Sequence, residues 1–206
     1  MQLPSAPPDV LAVVKSPLAI TCNWSVPSDT GLGPYVLPPR PLISYRLQFL
    51  TLASESPGPS PDFTAAASYL FGGSITSFSV TGLVKGYFYY FRVRSENSAG
   101  LSNWSIIVYE RGVDLPDAVQ AISANCVQPF TIKVTWSLPV DTGLGVNTTS
   151  RLFAVGGFLL EIALSAAFSV PAALYIGGNE TSRTLSGLNK GQVYFYRITA
   201  RNSAGP

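Results

Sequence analysis

Short stretches of the chain alternate apolar and polar residues with a period of two. Ile20, Cys22 and Trp24 alternate with Thr21, Asn23 and Ser25; Tyr45, Leu47 and Phe49 alternate with Arg46 and Gln48; Tyr89, Phe91 and Val93 alternate with Tyr90, Arg92 and Arg94. Successive strand residues point to opposite faces, so each stretch predicts a strand with one face in a core and the other, arginine-bearing face towards water. The pattern returns at Ile132, Val134 and Trp136, at Phe158, Leu160 and Ile162, and at Tyr194, Tyr196 and Ile198. Pro, Gly and Ser turns separate these stretches, and no long segment has the 3.6-residue period of a capped helix; the Ala-rich stretch Thr64 to Ala67 is too short for one. The expectation is an all-β sandwich fold.

The chain also repeats itself. Asp-Thr-Gly-Leu-Gly occurs at Asp29 to Gly33 and at Asp141 to Gly145, each time shortly after a tryptophan. Thr21 to Gly33 matches Lys133 to Gly145 with eight identities in thirteen positions, at a shift of 112. Phe63 to Gly100 matches Phe168 to Gly205 with sixteen in thirty-eight, at a shift of 105. The difference of seven residues places an insertion of copy one in or near the Pro-rich segment Pro34 to Leu42, which reads as a loop because proline cannot donate to a sheet. Duplication with loop variation means two copies of one fold, expected at 4–112 and 114–206.

The order of motifs within each copy carries a resemblance. Trp24 and Trp136 precede Pro-x-Asp-x-Gly (Pro27 to Gly31, Pro139 to Gly143), and copy one continues with Ile43-Ser-Tyr45. Leu-x-Lys-Gly-x-x-Tyr follows at Leu83 to Tyr89 and Leu188 to Tyr194, and then an arginine leads into Asn-Ser-Ala-Gly (Arg92 to Gly100, Arg197 to Gly205). This series, met twice, resembles the fibronectin type III repeat over nearly the whole chain. The resemblance implies two tandem seven-stranded sandwiches, with Trp24 and Trp136 on strand B. It also implies Leu83 and Leu188 as core markers, and Tyr89 and Tyr194 as tyrosine-corner residues of strand F that hydrogen-bond to nearby backbone. Copy one runs on through Leu101 to Tyr109, the expected last strand, whereas copy two stops at Pro206. The second sandwich is therefore expected to be incomplete within this chain, through truncation of a longer array or because another chain donates the strand.

Composition narrows the chemistry. Of 206 residues 47% are hydrophobic and only 12% charged, with a formal charge of +2 and no two Lys or Arg adjacent, which gives no footprint for nucleic acid. No apolar stretch reaches the 18 or so residues of a membrane span, so no membrane insertion is expected within the chain. Histidine is absent, and two cysteines cannot build a metal site, so neither cofactor nor metal is expected. Cys22 shares a face with Trp24 and reads as a small buried residue, while Cys126 falls near the first strand of copy two.

Two Asp-Thr-Gly triplets in one chain also describe an aspartic protease, whose paired carboxylates share a proton. Here Pro27 and Pro139 precede the aspartates and two glycines follow, which is the composition of a turn that Asp caps with its own side chain. Gly31 to Gly33 and Gly72-Gly73 lack the following Lys-Ser/Thr and the helix of a phosphate cradle. Four of eight asparagines lie in Asn-x-Ser/Thr: Asn23, Asn103, Asn147 and Asn179, which are candidate N-glycosylation positions of a secreted chain. The outward aromatics Tyr90, Phe195 and Trp104 suit a surface that meets another protein, or one covered by neighbouring side chains. The sequence thus reads as a non-catalytic spacer and protein-interaction module, extracellular or at the cell surface. The alternatives are a fibre subunit assembled by strand donation and, more remotely, a protease using Asp29 and Asp141.

Overall fold

A computed structural model, described over residues 2–31, 42–53, 61–145 and 155–206, divides the chain after Gly112 into two units. In the first, β1 (Leu11–Ser16), β2 (Ala19–Asn23) and β5 (Ser77–Thr81) form one antiparallel sheet in the order β1-β2-β5. The facing sheet runs β4-β3-β6, from β4 (Ala67–Gly72), β3 (Ser44–Leu52) and β6 (Phe88–Asn97), with β7 (Gly100–Leu101) and β8 (Val108–Arg111) on the far edge of β6. The period of two decides which side chains meet between the sheets. Ile20, Cys22, Tyr45, Leu47, Phe91 and Val93 are fully buried, and Trp24 packs edge-on against Tyr45 with ring centroids 5.6 Å apart. Each such side chain contributes roughly 1.5–3 kcal/mol by leaving water.

The second unit repeats the plan. β9 (Gln120–Gln128), β10 (Thr131–Ser137) and β13 (Ser182–Leu185) pair in the order β13-β10-β9; β11 (Gly157–Ala163), β12 (Ala172–Gly177) and β14 (Phe195–Arg201) pair in the order β12-β11-β14. Trp136 meets Phe158 edge-on with centroids 5.4 Å apart, the counterpart of the Trp24–Tyr45 contact. The expected insertion of copy one falls on 32–41, outside the described residues.

One open reading is decided and two expectations need correction. Of the two readings of the outward aromatics, Tyr90 takes the second, covered by neighbouring side chains: it is 2% exposed, inside a second apolar cluster with Phe63 and Phe88 on the outer face of the larger sheet, onto which Leu50, Leu52, Ala66 and Ile107 pack. The expected continuous strand from Leu101 to Tyr109 is broken, because Ser102 and Ser105 keep the backbone attached to β6 without a regular ladder: Ser102 N–H donates to Ser95 O, Ser105 N–H to Val93 O, and Ser105 Oγ accepts from Val93 N–H. Leu83 is buried in the core of unit 1, but Leu188 is only half-buried and, with Cys126, Phe130, Ile132 and Tyr194, lines an open cavity of about 290 Å³.

β6 is covered on its far side by β7 and β8, and no strand among the described residues pairs with the far edge of β14. Val193 is 62% exposed and Phe195 half-buried, where their counterparts Phe88 and Tyr90 are buried.

Both cysteines are free, and burial pushes the Cys22 thiol up to about 12, whereas Cys126 is exposed. A thiol reagent near neutral pH is expected to modify Cys126 alone in the native protein and both residues after unfolding, since the thiolate is the reacting species. Two fast-reacting thiols in the native state would mean that the sheets of unit 1 do not pack as described.

Candidate functional site

The doubled Asp-Thr-Gly sits where the chain leaves the first sheet of each unit, and its chemistry is that of a turn. Asp29 Oδ1 accepts the N–H of Gly31 at 2.7 Å; Asp141 Oδ1 accepts those of Gly143 at 2.8 Å and Gly145 at 2.9 Å. These carboxylate-to-backbone bonds, two residues ahead and at Gly145 four, close the loop locally, as short polar side chains do in turns. Gly31 and Gly143 adopt φ of 105° and 98°, a region costly for residues with a Cβ. A Cβ at Gly31 would also collide with Gln2 O and Asn97 Nδ2, and one at Gly143 with Asp114 O and Asn202 Nδ2.

Those collisions point to the asparagines of Asn-Ser-Ala-Gly, whose role the sequence did not reveal. Asn97 Nδ2 donates to Gln2 O and Thr30 O, both at 2.9 Å, while its Oδ1 accepts from Ala99 N–H at 2.8 Å and Gly100 N–H at 3.2 Å. Asn202 does the same: Nδ2 to Asp114 O at 2.7 Å and Thr142 O at 3.0 Å, Oδ1 from Ala204 N–H at 2.8 Å and Gly205 N–H at 3.2 Å. A side-chain amide has two donor hydrogens and two acceptor lone pairs, and all four are used in each unit. The leading segment of each unit is further tied down by Gln2 N–H to Gly31 O and Ser5 N–H to Asp29 O, and by Asp114 N–H to Gly143 O and Asp117 N–H to Asp141 O. One signal was available: Asn-Ser-Ala-Gly recurs at the shift of 105 with every residue kept.

The other predicted residues fall as follows. Tyr89 Oη accepts from Val84 N–H at 2.7 Å, and Tyr194 Oη from Asn189 N–H at 2.9 Å, each fixing the turn before its strand. Asn103 and Asn179 are exposed; Asn23 is half-buried at the end of β2, between Leu11 of β1 and Ser77 of β5; Asn147 lies outside the described residues. Asp29 and Asp141 belong to separate units. Among the described residues, no group of three or more His, Cys, Asp or Glu gathers to hold a metal ion.

A second polar arrangement lies on the outer face of the larger sheet. The Arg92 guanidinium stacks over Phe63 at 4.2 Å and Trp104 at 4.3 Å, and Arg94 stacks on Trp104 at 4.3 Å, so the indole stands between two cations. Arg92 Nε and Nη2 donate to Gln48 Oε1 at 2.9 and 2.7 Å. Desolvation, and then the neighbouring cation (Arg94 beside Arg92, Arg46 beside Arg94), lowers both guanidinium pKa values. In unit 2 the first layer recurs: Arg197 lies 4.6 Å from the Phe168 ring and donates to Glu161 at 2.6 and 2.9 Å, which holds the Glu161 carboxyl below its ordinary range. Such cation–ring contacts are worth about 0.5–2 kcal/mol each.

No protein-family model matches the chain. Mouse neogenin is 24% identical over the full length of this chain, which spans 12% of that protein; a Kelch domain-containing protein of Saccharolobus solfataricus is 29% identical over 65% of the chain and 17% of its own length. The solved structure of chicken CNTN1 FN1–FN3 domains superposes with a TM-score of 0.66 at 17% identity, covering 99% of this chain and 62% of that one. The chain is all-β and has the fold of two fibronectin type III domains in tandem.

Replacing Asn97 or Asn202 by Ala removes four hydrogen bonds and strands buried backbone groups, and is expected to cost about 1–3 kcal/mol in urea unfolding. Asp29→Asn keeps an acceptor oxygen at Oδ1 and should cost about 1 kcal/mol or less. If the asparagine variants prove neutral, the amides do not hold these corners together.

Proposed function

We propose that the chain is a non-catalytic protein-interaction module of a secreted or cell-surface multidomain protein. The observation that carries this reading is the use made of the conspicuous polar residues. The carboxylates of both Asp-Thr-Gly triplets cap their own turns, and the adjoining asparagines are saturated by backbone groups. A proton-sharing dyad needs two carboxylates facing one substrate, and here each is built into the corner of its own unit. With its polar groups committed to holding shape, such a unit recognises others through exposed surface and loops.

Two exposed sequons, Asn103 and Asn179, favour an extracellular setting. Protein from its native source, treated with an N-glycosidase, is expected to lose mass at these two positions and not at Asn23, which is flanked on both sides by paired strands. No mass change would turn the reading towards an intracellular scaffold.

A further inference from the structure

The outward backbone groups of an edge strand pair with another chain unless something blocks them, and natural edges are blocked by charges, prolines, bulges or brevity. Most edges here carry such a block. β1 has Lys15 and a bulge between Val14 and Ser16, and β9 is irregular at two places against β10. β8 has Glu110 and Arg111, β13 has Arg183, and β14 has Arg197 and Arg201. β5 is short and turns Ser77, Ser79 and Thr81 outward.

Among the described residues two edges remain: β4, Ala-Ser-Tyr-Leu-Phe-Gly, and β12, Ala-Ala-Leu-Tyr-Ile-Gly. Neither holds a charge or a proline, and each pairs with its inner neighbour without a bulge. On each the most exposed large apolar side chain stands at the equivalent position, Leu70 at 65% exposure and Tyr175 at 74%. What lies beside them separates the two. Arg46 stands directly across from Leu70, and Arg94 directly across from Arg46, so pairing β4 with its own copy gathers like charges. Leu159 stands directly across from Tyr175, with Thr199 beyond it. Arg201, rooted on β14, lies over the Tyr175 ring at 5.6 Å, and Glu161, directly across from Ala173, is paired with Arg197 of β14, so the charges behind β12 are of opposite sign and engaged with each other.

We propose that β12 pairs antiparallel with β12 of a second copy of this chain, so that the sheet β12-β11-β14 continues across a two-fold axis. A strand is self-complementary in such pairing. In a register centred on Leu174, Tyr175 of each copy lies beside Ala173 of the other on the outer face, a large ring against a small side chain, while the backbone groups of both edges pair. The contact is small, so the association is weak and depends on concentration. It goes beyond the function proposed above and does not depend on glycosylation or location, so the two fail separately.

Sedimentation equilibrium of the whole chain, from low micromolar to roughly 1 mM, is expected to show a reversible monomer–dimer equilibrium. Tyr175→Lys and Ala173→Lys each put a cation on an exposed outward position of the edge and are expected to weaken the dimer at least about tenfold, with unchanged melting temperatures. Leu70→Lys, the same change on β4, is expected to leave it intact. Where Tyr175→Lys disturbs folding, Ala173→Lys decides. A monomer at every concentration overturns the proposal, as does a dimer untouched by both β12 variants.

Discussion

Each unit turns on one side-chain amide. Asn97 and Asn202 sit at the ends of their long strands, and each ties three separate segments to the sheet: the leading strip of the unit, the Asp-Thr-Gly corner, and the tight turn that follows the asparagine itself. A buried amide is stabilising only when all its hydrogen bonds are made, because each orphaned group then carries its full desolvation cost. That condition dictates the residues around it. The corner must pass close to the amide, so it carries a glycine where a Cβ would strike the Nδ2 atom, and the turn carries another at Gly100 or Gly205, with φ of 133° and 141°. The aspartate closes the corner from the opposite side. What reads along the chain as two remote motifs, Asp-Thr-Gly and Asn-Ser-Ala-Gly, is in space one hydrogen-bonded joint.

The two units share this joint, the Trp-centred core and the base of the outer face. Both keep an arginine stacked on a phenylalanine and held by a side chain of the adjoining strand: Gln48 in unit 1, Glu161 in unit 2. In unit 1 Trp104 stands between Arg92 and Arg94, presented by the irregular stretch between β7 and β8. The irregularity has a use, since a regular strand would offer alternate residues at fixed spacing along β6. Breaking the ladder with Ser102 and Ser105 frees the backbone to set the indole between the guanidiniums while its polar groups stay paired. The face that the alternation assigned to water is thereby partly dry, which is why both guanidiniums feel desolvation first and a neighbouring cation second, Arg94 beside Arg92 and Arg46 beside Arg94.

Much of the architecture was legible in the sequence for a physical reason: a strand buried on one face must alternate, and a duplicated fold must repeat its alternation. Ile20, Cys22, Trp24, Leu47, Phe91 and Val93 were readable as one inner surface, and Tyr89 and Tyr194 stood out by position. Alternation says which side of a sheet a residue occupies, but not what later covers that side. Tyr90 therefore stayed open between a partner and neighbouring side chains, because Phe63 and Ile107, which enclose it, come from segments without periodicity. Leu188 was misplaced for the converse reason, since its pattern matches Leu83 while its surroundings do not. Asn97 and Asn202 escaped because an amide in a polar turn motif looks the same whether it is solvated or saturated. Leu18 and Phe130, with φ of 51° and 59° in their hairpin turns, were invisible too, since neither is a residue that advertises a left-handed backbone.

The low charge of the chain links these observations. Only 12% of residues are charged, about half the usual share for a globular domain. Several of those charges are engaged on the outer faces, in Phe63–Arg92, Trp104–Arg94 and Phe168–Arg197–Glu161. Few are then left to guard strand edges, and the fold blocks several by other means, with bulges in β1 and β9 and short polar residues in β5. The same strand in each unit, β4 and β12, receives neither charge nor bulge, and carries its large outward side chain at the same position. The gap recurs in both copies after their sequences have drifted to sixteen identities in thirty-eight over this region, and what differs is the row behind it: Arg46 and Arg94 behind Leu70 in unit 1, Leu159 and Thr199 behind Tyr175 in unit 2.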